Sequence, residues 1–501
     1  MTISEISTGR TIRKSVSKLR AHRPLLPGFA RIPVIVAALL SACASYHPQP
    51  IAAATLMRSF EARTLADPEL LRYVAAHDHR AVDGRPPPQW NLDTLTLAAF
   101  YFSPELDVAR AEAGVSQAAI KTAGQRPNPL LQLPLGYTTN VKDGQSPYTF
   151  GLGLDIPIET AGKRGYRIAQ ARQLSNATRF RVGGVAWQLR SRLRTQLLDL
   201  YAATRKTEIL QRQIAAQQQI AGMLDKRLAL GAASAPEANQ ARIALIQTRI
   251  ALADARRWIQ DQHAQIASTV GVPVSALADI PIDFAAFEPS HTDGAEPGRN
   301  FADIPTDAAR REAILNRADL LAALSDYAAS QAALQLEVAR QVPDIHLGPG
   351  YTFDTGAHKF GFSITGISLP IFNRNQGPIA EAVARRKEMA ARVNSMQAQA
   401  IGDTDRALQN YRVALQQLRR AESVLVRQRR QWRSAQTAFK TGETDRLTLQ
   451  LAQSSLDANM LVRQDALVQL QRTIGQLEDA LQRPLSATAL QAFPESMENT
   501  N

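Results

Sequence analysis

The segment YTFGLGLDIP, residues 148–157, alternates Phe, Leu, Leu and Ile with two glycines and an aspartate. Strict alternation puts the large side chains on one face of an extended chain, so it predicts a β-strand with one apolar face. Residues 130–139 predict the antiparallel partner, because a polar turn at 140–146 connects the two segments. This hairpin, apolar on one face and rich in glycine on the other, decides the fold.

The hairpin occurs twice in the chain. The repeated pairs are Gly136-Tyr137-Thr138 with Gly350-Tyr351-Thr352, and Asp155-Ile156-Pro157-Ile158 with Ser368-Leu369-Pro370-Ile371. The second hairpin is predicted at 344–353 and 359–370, with a slip of the alternation at Gly366 that indicates a bulge or the exit from the sheet. Two copies of a unit that cannot bury its own apolar face indicate a pseudo-symmetric body.

Very long helices are predicted after each hairpin. No proline occurs from 158 to 235 or from 379 to 483, and Pro236 and Gly442 separate the two helices of each pair. Apolar residues recur at steps of three and four, as in Leu467, Leu470, Ile474, Leu477 and Leu481 and in Leu408, Tyr411, Leu415 and Leu418. Helices of roughly 65 residues reach about 100 Å, so they must pack side by side.

Two shorter helices are predicted before the first hairpin. One covers 94–101 with Asp93 as its N-cap, and the other runs to Ala123 behind Ser103-Pro104-Glu105.

Composition argues against nucleic-acid binding. The 501 residues carry a formal charge of +13, but residues 1–42 hold seven Lys/Arg and one Glu, so the remainder keeps +7. No dense basic tract with interleaved aromatic residues remains in that part of the sequence.

The N-terminus predicts a lipoprotein signal. A basic region precedes the apolar run 32–40, which is too short to span a bilayer, and then Ser41-Ala42-Cys43. Cys43 is the only cysteine of the chain, so its lipidation leaves no thiol for a disulfide or a metal site. Ala44 and Ser45 follow it, which by similarity to sorted bacterial lipoproteins indicates the outer membrane.

Four strands cannot close a barrel, and an open sheet edge cannot face lipid. Each predicted strand has about ten residues, enough to cross a bilayer when tilted. A homotrimer would supply 12 strands and close both a β-barrel and a helical tube, with the apolar faces toward lipid and a wet lumen inside. In the alternative, the hairpins only cap a soluble helical bundle, and this leaves the secretory signal unexplained.

The duplicated order of helix, hairpin and helix pair resembles the TolC family of outer-membrane efflux channels over residues 95–490. Residues 157–164 (PIETAGKR) and 369–377 (LPIFNRNQG), where strand passes into helix, are similar to the CzcC-like heavy-metal branch. The fold class is therefore mainly α with a small antiparallel β part, in a trimer whose 12-stranded outer-membrane barrel continues as a periplasmic α-helical barrel.

The resemblance implies a channel rather than an enzyme. It would conduct substrate passively from the periplasm to the outside. The expected cargo is heavy-metal cations, exported by an inner-membrane RND pump through a periplasmic membrane-fusion adaptor. A drug-efflux or type I secretion channel remains open as an alternative, as does a periplasmic adaptor, although adaptors carry one helical hairpin instead of two copies. The sequence predicts no cofactor besides the lipid at Cys43.

No catalytic or metal-binding motif stands out in the sequence. His77-Asp78-His79 is the one close histidine pair, and it is interpreted as an exposed polar turn because no third ligand accompanies it.

The helix tips are the candidate functional site. By the resemblance, the turns at 231–236 and 441–446 close the periplasmic aperture and meet the adaptor, and their residues include Gly231, Glu237, Gly442, Glu443 and Asp445. Glu237 stands where the family often carries aspartate, and its counterpart in the second copy is Thr448. This departure argues against a strongly cation-selective aperture, unless Glu443 and Asp445 compensate.

The predicted organisation is a signal peptide at 1–42, an extended segment at 43–93, a first repeat at 94–276, a linker at 277–306, a second repeat at 307–487 and a tail at 488–501.

Overall fold

In a computed structural model, which describes residues 46–77, 89–142, 144–288, 305–365 and 367–485, the two predicted hairpins join into one antiparallel sheet. Its strands are β1 (Leu130–Gln132), β2 (Leu135–Tyr137), β3 (Tyr148–Ile158), β4 (Ile345–Asp354) and β5 (Ala357–Thr365). Strand β3 pairs with β1, β2 and β4, and β4 pairs with β5. The β3–β4 pairing joins the two copies.

The first predicted strand, 130–139, is wrong as one continuous element. It divides at Leu133 and Pro134, because proline has no N–H to donate to the ladder. The Pro134 carbonyl still accepts a hydrogen bond from the Gly151 N–H at 2.9 Å, so the chain stays against β3.

The last strand is shorter than the predicted 359–370. It ends at Thr365, and residues 367–370 have no regular structure. Pro370 cannot donate a ladder hydrogen bond, which fits an exit from the sheet before this point. The predicted slip at Gly366 lies outside the described residues.

The helices occupy most of the chain. They are α1 (Ala53–Glu61), α2 (Pro68–His77), α3 (Leu92–Phe102), α4 (Pro104–Ala123), α5 (Lys163–Ala229), α6 (Ala235–Val270), α7 (Thr306–Asn316), α8 (Ala318–Ala339), α9 (Gln376–Lys440) and α10 (Arg446–Leu481). No helix within these described ranges is long and apolar enough to cross a membrane.

The chain divides into two units, Met1–Met57 and Arg58–Asn501. In the first unit, the described residues are irregular from 46 to 52 and helical from Ala53. The prediction of an extended segment at 43–93 is wrong where α1 and α2 form. The sheet and the long helices belong to the second unit.

The start of α3 corrects the predicted cap. Asn91, not Asp93, is the N-cap residue, because Asn91 Oδ1 accepts the Thr94 N–H and Thr94 Oγ1 accepts the Asn91 N–H, both at 2.9 Å. This reciprocal capping box places Asp93 inside the first turn, where its charge faces the positive end of the helix dipole. The predicted start of α4 at Ser103-Pro104 is confirmed.

The long helices pack side by side, as their periodicity predicts. Helix α5 has 67 residues and is therefore about 100 Å long. It packs against α6 and α10, and α10 also packs against α9. The apolar series predicted from the sequence are inside except at Ile474, which is partly buried. The buried members are Leu467, Leu470, Leu477, Leu481, Leu408, Tyr411, Leu415 and Leu418.

The main core lies where α3, α5, α6 and α10 meet. Its fully buried members include Leu95, Leu193, Leu197, Ile266, Leu467 and Leu470. Burying each such side chain contributes about 1.5–3 kcal/mol, so this core stabilises the packing of the four helices against one another.

The predicted linker has more structure than its composition indicates. Short 3₁₀ turns occupy Val274–Leu277 and Ala285–Phe287, and Phe287 is buried. The Trp90 N–H donates to the Pro281 carbonyl at 2.9 Å, and the Asp283 N–H donates to the Trp90 carbonyl at 2.8 Å. Residues 289–304, the signal segment 1–42, Cys43, His79 and the tail 488–501 lie outside the described residues.

Candidate functional site

Both helix turns singled out in the sequence are closed by a glycine in the left-handed region. Gly231 has φ of 70° and Gly442 has φ of 78°. After each glycine the chain bonds back to its helix: the Ala232 N–H donates to the Arg227 carbonyl at 2.7 Å, and the Glu443 N–H donates to the Ala438 carbonyl at 2.8 Å. Since side chains with a Cβ rarely adopt such φ values, glycine is needed for its backbone freedom.

The predicted acids Glu237 and Asp445 both belong to helix N-caps: Asp445 is the N-cap of α10, and Glu237 is the third residue of α6 and bonds back to the N-cap Ser234. The Ser234 N–H donates to Glu237 Oε2 at 2.8 Å in a capping box at the start of α6. This hydrogen bond lowers the pKa of Glu237 below its usual value. Asp445 accepts the Thr448 N–H at 2.8 Å, and this bond, with the nearby Arg227, lowers the pKa of Asp445 to about 2.

A contact between the two copies forms at these turns. Arg227, near the end of α5, makes an ion pair with Asp445, which caps α10. Arg446 Nη2 donates to Gln219 Oε1 at 3.3 Å in the same region. The structure therefore places Asp445 of the second copy beside Arg227 of the first copy. Glu237 instead interacts with Ser234, the N-cap of its own helix. Sequence reasoning missed Arg227, because its partner lies 218 residues further along the chain.

The charges at the tips are mostly balanced. Arg227 offsets Asp445, and Arg242 lies 2.7 Å from Asp225. Glu443 is the predicted acid whose side chain is exposed and has no partner among the described residues. A ring of uncompensated carboxylates would thus depend on Glu443 and on Glu237, whose hydrogen-bond partner Ser234 carries no charge.

The sheet has one apolar face. Paired residues on antiparallel strands share a face, and the register aligns Phe150 with Phe353, Leu152 with Tyr351 and Tyr351 with Phe360. Large apolar side chains on this face are exposed, including Leu135, Phe150, Leu152, Leu154, Phe360, Phe362 and Ile364.

Aromatic rings gather on this apolar face close to the hairpin turns. Tyr137 and Tyr148 lie 5.4 Å apart between ring centroids, Phe150 and Phe353 lie 4.9 Å apart, and Tyr351 and Phe360 lie 5.1 Å apart.

The opposite face of the sheet is small and polar. Gly153 pairs with Gly350, and Gly350 pairs with Gly361. The charged groups on this face are paired: Asp155 with His346, and Asp354 with Lys359 and Thr149.

The strand-to-helix junction is held by Lys163. This buried side chain donates to the Val342 carbonyl at 2.6 Å and to Asp344 Oδ1 at 2.7 Å, just before β4 begins. The Thr160 N–H also donates to Asp344 Oδ1, at 2.9 Å. Residues 157–164, quoted above for their resemblance to a known family, thus connect the exit of β3 to the entry of β4.

The described residues contain no group of three or more His, Cys, Asp or Glu placed to hold a metal ion. His77 ends helix α2 and its Nδ1 lies 2.8 Å from the Tyr73 carbonyl, so it belongs to a helix end instead of the predicted turn.

Comparison with known proteins gives a consistent result. Residues 100–272 and 309–483 match the family model described as Outer membrane efflux protein. The chain is 25% identical over 281 residues to the cobalt-zinc-cadmium resistance protein CzcC of Cupriavidus metallidurans, covering 56% of this chain and 62% of that protein. It is also 25% identical over 438 residues to the pyoverdine export outer membrane protein OpmQ of Pseudomonas aeruginosa, covering 81% and 88% respectively.

Solved structures share the fold. CusC superimposes with a TM-score of 0.61 at 18% identity, covering 78% of this chain and 91% of the other. The outer membrane protein VceC of Vibrio cholerae gives a TM-score of 0.60 at 19% identity, covering 79% and 97%.

Proposed function

The chain belongs to the outer membrane efflux protein family, and on this premise we propose that it is the channel component of a tripartite efflux system. Its location is the outer membrane of a Gram-negative bacterium, with a large periplasmic portion. The observation that carries the proposal is the sheet, apolar on one face and small and polar on the other, set on helices about 100 Å long. Such a sheet suits lipid outside and water inside.

The working unit is a homotrimer of this chain. In one copy, β1 and β5 are edge strands, and an unpaired edge cannot remain in lipid. With β1 and β2 counted as the two parts of one broken strand, each copy supplies four strands and three copies close a 12-stranded barrel. Helix α6 supports this assembly, because Ile243, Ile246 and Ile250 are each more than half exposed at steps of three and four. An exposed row of isoleucines with this spacing can pack against a helix of a neighbouring copy.

The aromatic cluster near the hairpin turns fits the outer interface of the membrane. Tyr137, Tyr148 and Tyr351 carry hydroxyl groups on otherwise apolar rings, a combination that favours the headgroup region. The helix turns at Gly231 and Gly442 then lie at the far periplasmic end, where they form the aperture and contact a membrane-fusion adaptor.

The cargo is a heavy-metal cation, delivered by an inner-membrane RND pump. This rests on the similarity to the cobalt-zinc-cadmium resistance protein. A second candidate, export of an organic molecule, is favoured by the longer match to the pyoverdine export protein. In either case the protein conducts passively and catalyses no reaction, and a lipid on Cys43 anchors its N-terminus.

Conductance in planar bilayers tests the channel. Purified trimers should form pores, and the current should persist without ATP or a proton gradient. Absence of pores from a trimeric preparation would refute the proposal.

Growth assays separate the two cargoes. Deleting the coding sequence should lower tolerance to Zn²⁺, Co²⁺ or Cd²⁺, with restoration by the intact chain. Unchanged metal tolerance together with loss of siderophore export would favour the organic cargo.

A further inference from the structure

Asp155 and His346 form a pair on the glycine-rich face of the sheet. His346 Nδ1 lies 2.9 Å from Asp155 Oδ1, and the two residues come from neighbouring strands 191 positions apart in sequence. The Asp155 side chain is 17% exposed and that of His346 is 34% exposed. The aspartate is therefore recessed behind the imidazole, which projects further from the sheet.

Glycines lie on one side of this pair, whereas Leu130 is aligned with Asp155 on the other. Gly348 and Gly350 follow His346 along β4 on the same face, and Gly153 pairs with Gly350. The Ser363 hydroxyl, on the next strand, donates to the Gly348 carbonyl at 3.1 Å instead of to the imidazole. Along β4, His346 is thus followed on this face by glycines that leave one side of the imidazole open.

The hydrogen bond fixes which nitrogen is available. An ionised carboxylate only accepts hydrogen bonds, so Asp155 requires the proton on His346 Nδ1. In the neutral imidazole this leaves the lone pair on Nε2, for which the side chains that the structure describes provide no hydrogen-bond partner. A carboxylate behind a histidine is the arrangement that fixes the tautomer and the ring orientation of metal-ligating histidines.

We propose that His346, supported by Asp155, is a contact site for divalent transition-metal cations on the wall of the channel. The inference rests on the proposed function, which makes the glycine-rich face the lumen. Imidazole nitrogen suits Zn²⁺ and its neighbours, whereas it does not suit Mg²⁺ or Ca²⁺. One protein ligand with water completing the shell binds weakly, and conduction requires binding that permits departure. Three copies place three such contacts around one level of the lumen.

Zn²⁺ block of pore current tests the site. In bilayers holding wild-type pores, ZnCl₂ should reduce the K⁺ current, whereas MgCl₂ at equal concentration should not. His346→Ala should remove most of the Zn²⁺ effect, measured as the fraction of each variant's own Zn²⁺-free current that remains after ZnCl₂ is added. Asp155→Asn should weaken the block by about tenfold, the lower end of the effect of losing such a supporting group.

His358→Ala is the matched control. His358 lies in the neighbouring strand on the apolar face, where its Nδ1 is 2.6 Å from the Tyr351 hydroxyl. This variant should keep the wild-type Zn²⁺ block. Equal block in wild type and His346→Ala would overturn the proposal.

Two further measurements keep the outcomes distinct. His346→Gln retains a donor for Asp155 but loses the imidazole, so it replaces the alanine variant if that variant does not assemble. Equilibrium dialysis of purified protein against Zn²⁺ compares wild type with the His346 variants independently of pore formation. Missing pores would refute the channel, whereas pores and Zn²⁺ binding that are indifferent to His346 would refute only this site.

Discussion

At the scale of single residues, the choice of amino acid in the helix turns is most restricted at Gly231 and Gly442. A Cβ at either would meet no heavy atom of the described chain within 4 Å, so the restriction comes from the backbone alone. Left-handed backbone costs other residues about 1–2 kcal/mol.

Gly231→Ala and Gly442→Ala should therefore each destabilise their turn by about 1 kcal/mol. Hydrogen exchange of the last turn of α5 or α9 should rise by about fivefold, with little change in the barrel. Gly222→Ala is the control, because Gly222 lies inside α5 with open space around it, and alanine favours helix there. Equal effects at all three positions would contradict the assignment of left-handed turns.

Asp445 should make the tips sensitive to acid. Its pKa is lowered from 3.8 to about 2, so the folded state favours the carboxylate. A carboxylate whose pKa is lower in the folded than in the unfolded protein stabilises the fold at any pH above its unfolded-state pKa. This stabilisation disappears as the pH falls from about 4 to about 2.

Asp445→Asn should keep the cap and lose the ion pair with Arg227. The difference in unfolding midpoint between wild type and this variant should be constant above about pH 4 and should shrink toward pH 2. Glu443→Gln, with no partner in the described chain, should show no such pH-dependent difference. A constant difference for Asp445→Asn down to pH 2 would contradict the role of the charge.

At the scale of elements, the sheet depends on glycine where β3 passes the broken first strand. A Cβ at Gly151 would lie 2.8 Å from Pro134 Cγ and 3.2 Å from Thr352 Oγ1. The proline ring cannot move aside as a flexible side chain would.

Gly151→Ala should destabilise the sheet by about 1–3 kcal/mol, the range for overpacking. The yield of heat-resistant trimer in detergent gives the measurement. Gly361→Ala in β5 is the matched control, because a Cβ there would have no described neighbour within 4 Å. Equal trimer yields from both variants would show that the Pro134 ring can shift to accommodate the methyl group added at residue 151.

The contact between α5 and α10 contains a buried charge cluster. Glu478 Oε2 lies 3.2 Å from both Arg190 Nη1 and Arg194 Nε, and all three side chains are almost fully buried. Burial lowers the pKa of Arg194. Removing the carboxylate would leave two guanidinium groups without their shared partner.

Glu478→Ala should cost about 3–5 kcal/mol, as expected for breaking a buried ion pair. Glu312→Ala breaks the half-exposed pair with Arg483, and its cost should stay below about 1 kcal/mol. Denaturant midpoints of detergent-solubilised protein distinguish the two. A small loss for Glu478→Ala would mean that water reaches the cluster.

Local patterns predict the elements well and their partners poorly. The alternation in 148–157 and the heptad steps around Leu467 require only neighbouring residues, and both predictions hold in the structure. The pair Asp155–His346 joins positions 191 residues apart, which no local period reports. The cap of α3 was missed because Asn91 and Asp93 are both good caps, and the reciprocal bond with Thr94 decides between them.

At the scale of the whole molecule, the lipid proposed on Cys43 and the proposed barrel would be two independent attachments to the membrane. Cys43→Ala should abolish incorporation of labelled palmitate, while the protein should still fractionate with the outer membrane. The barrel alone provides that retention under the proposed function. Release of the variant into the soluble periplasm would mean that the anchor, not the sheet, holds the protein.

The pairing of β3 with β4 also sets an order of events in biogenesis. The two strands are separated by the whole of α5, α6, α7 and α8, so the sheet cannot be completed until most of the chain has been exported. Contacts between such distant segments form slowly, and an unpaired apolar hairpin is prone to aggregation meanwhile. We therefore expect a long-lived periplasmic intermediate with formed helices and an unfinished sheet, which escorting chaperones must protect until three chains insert together.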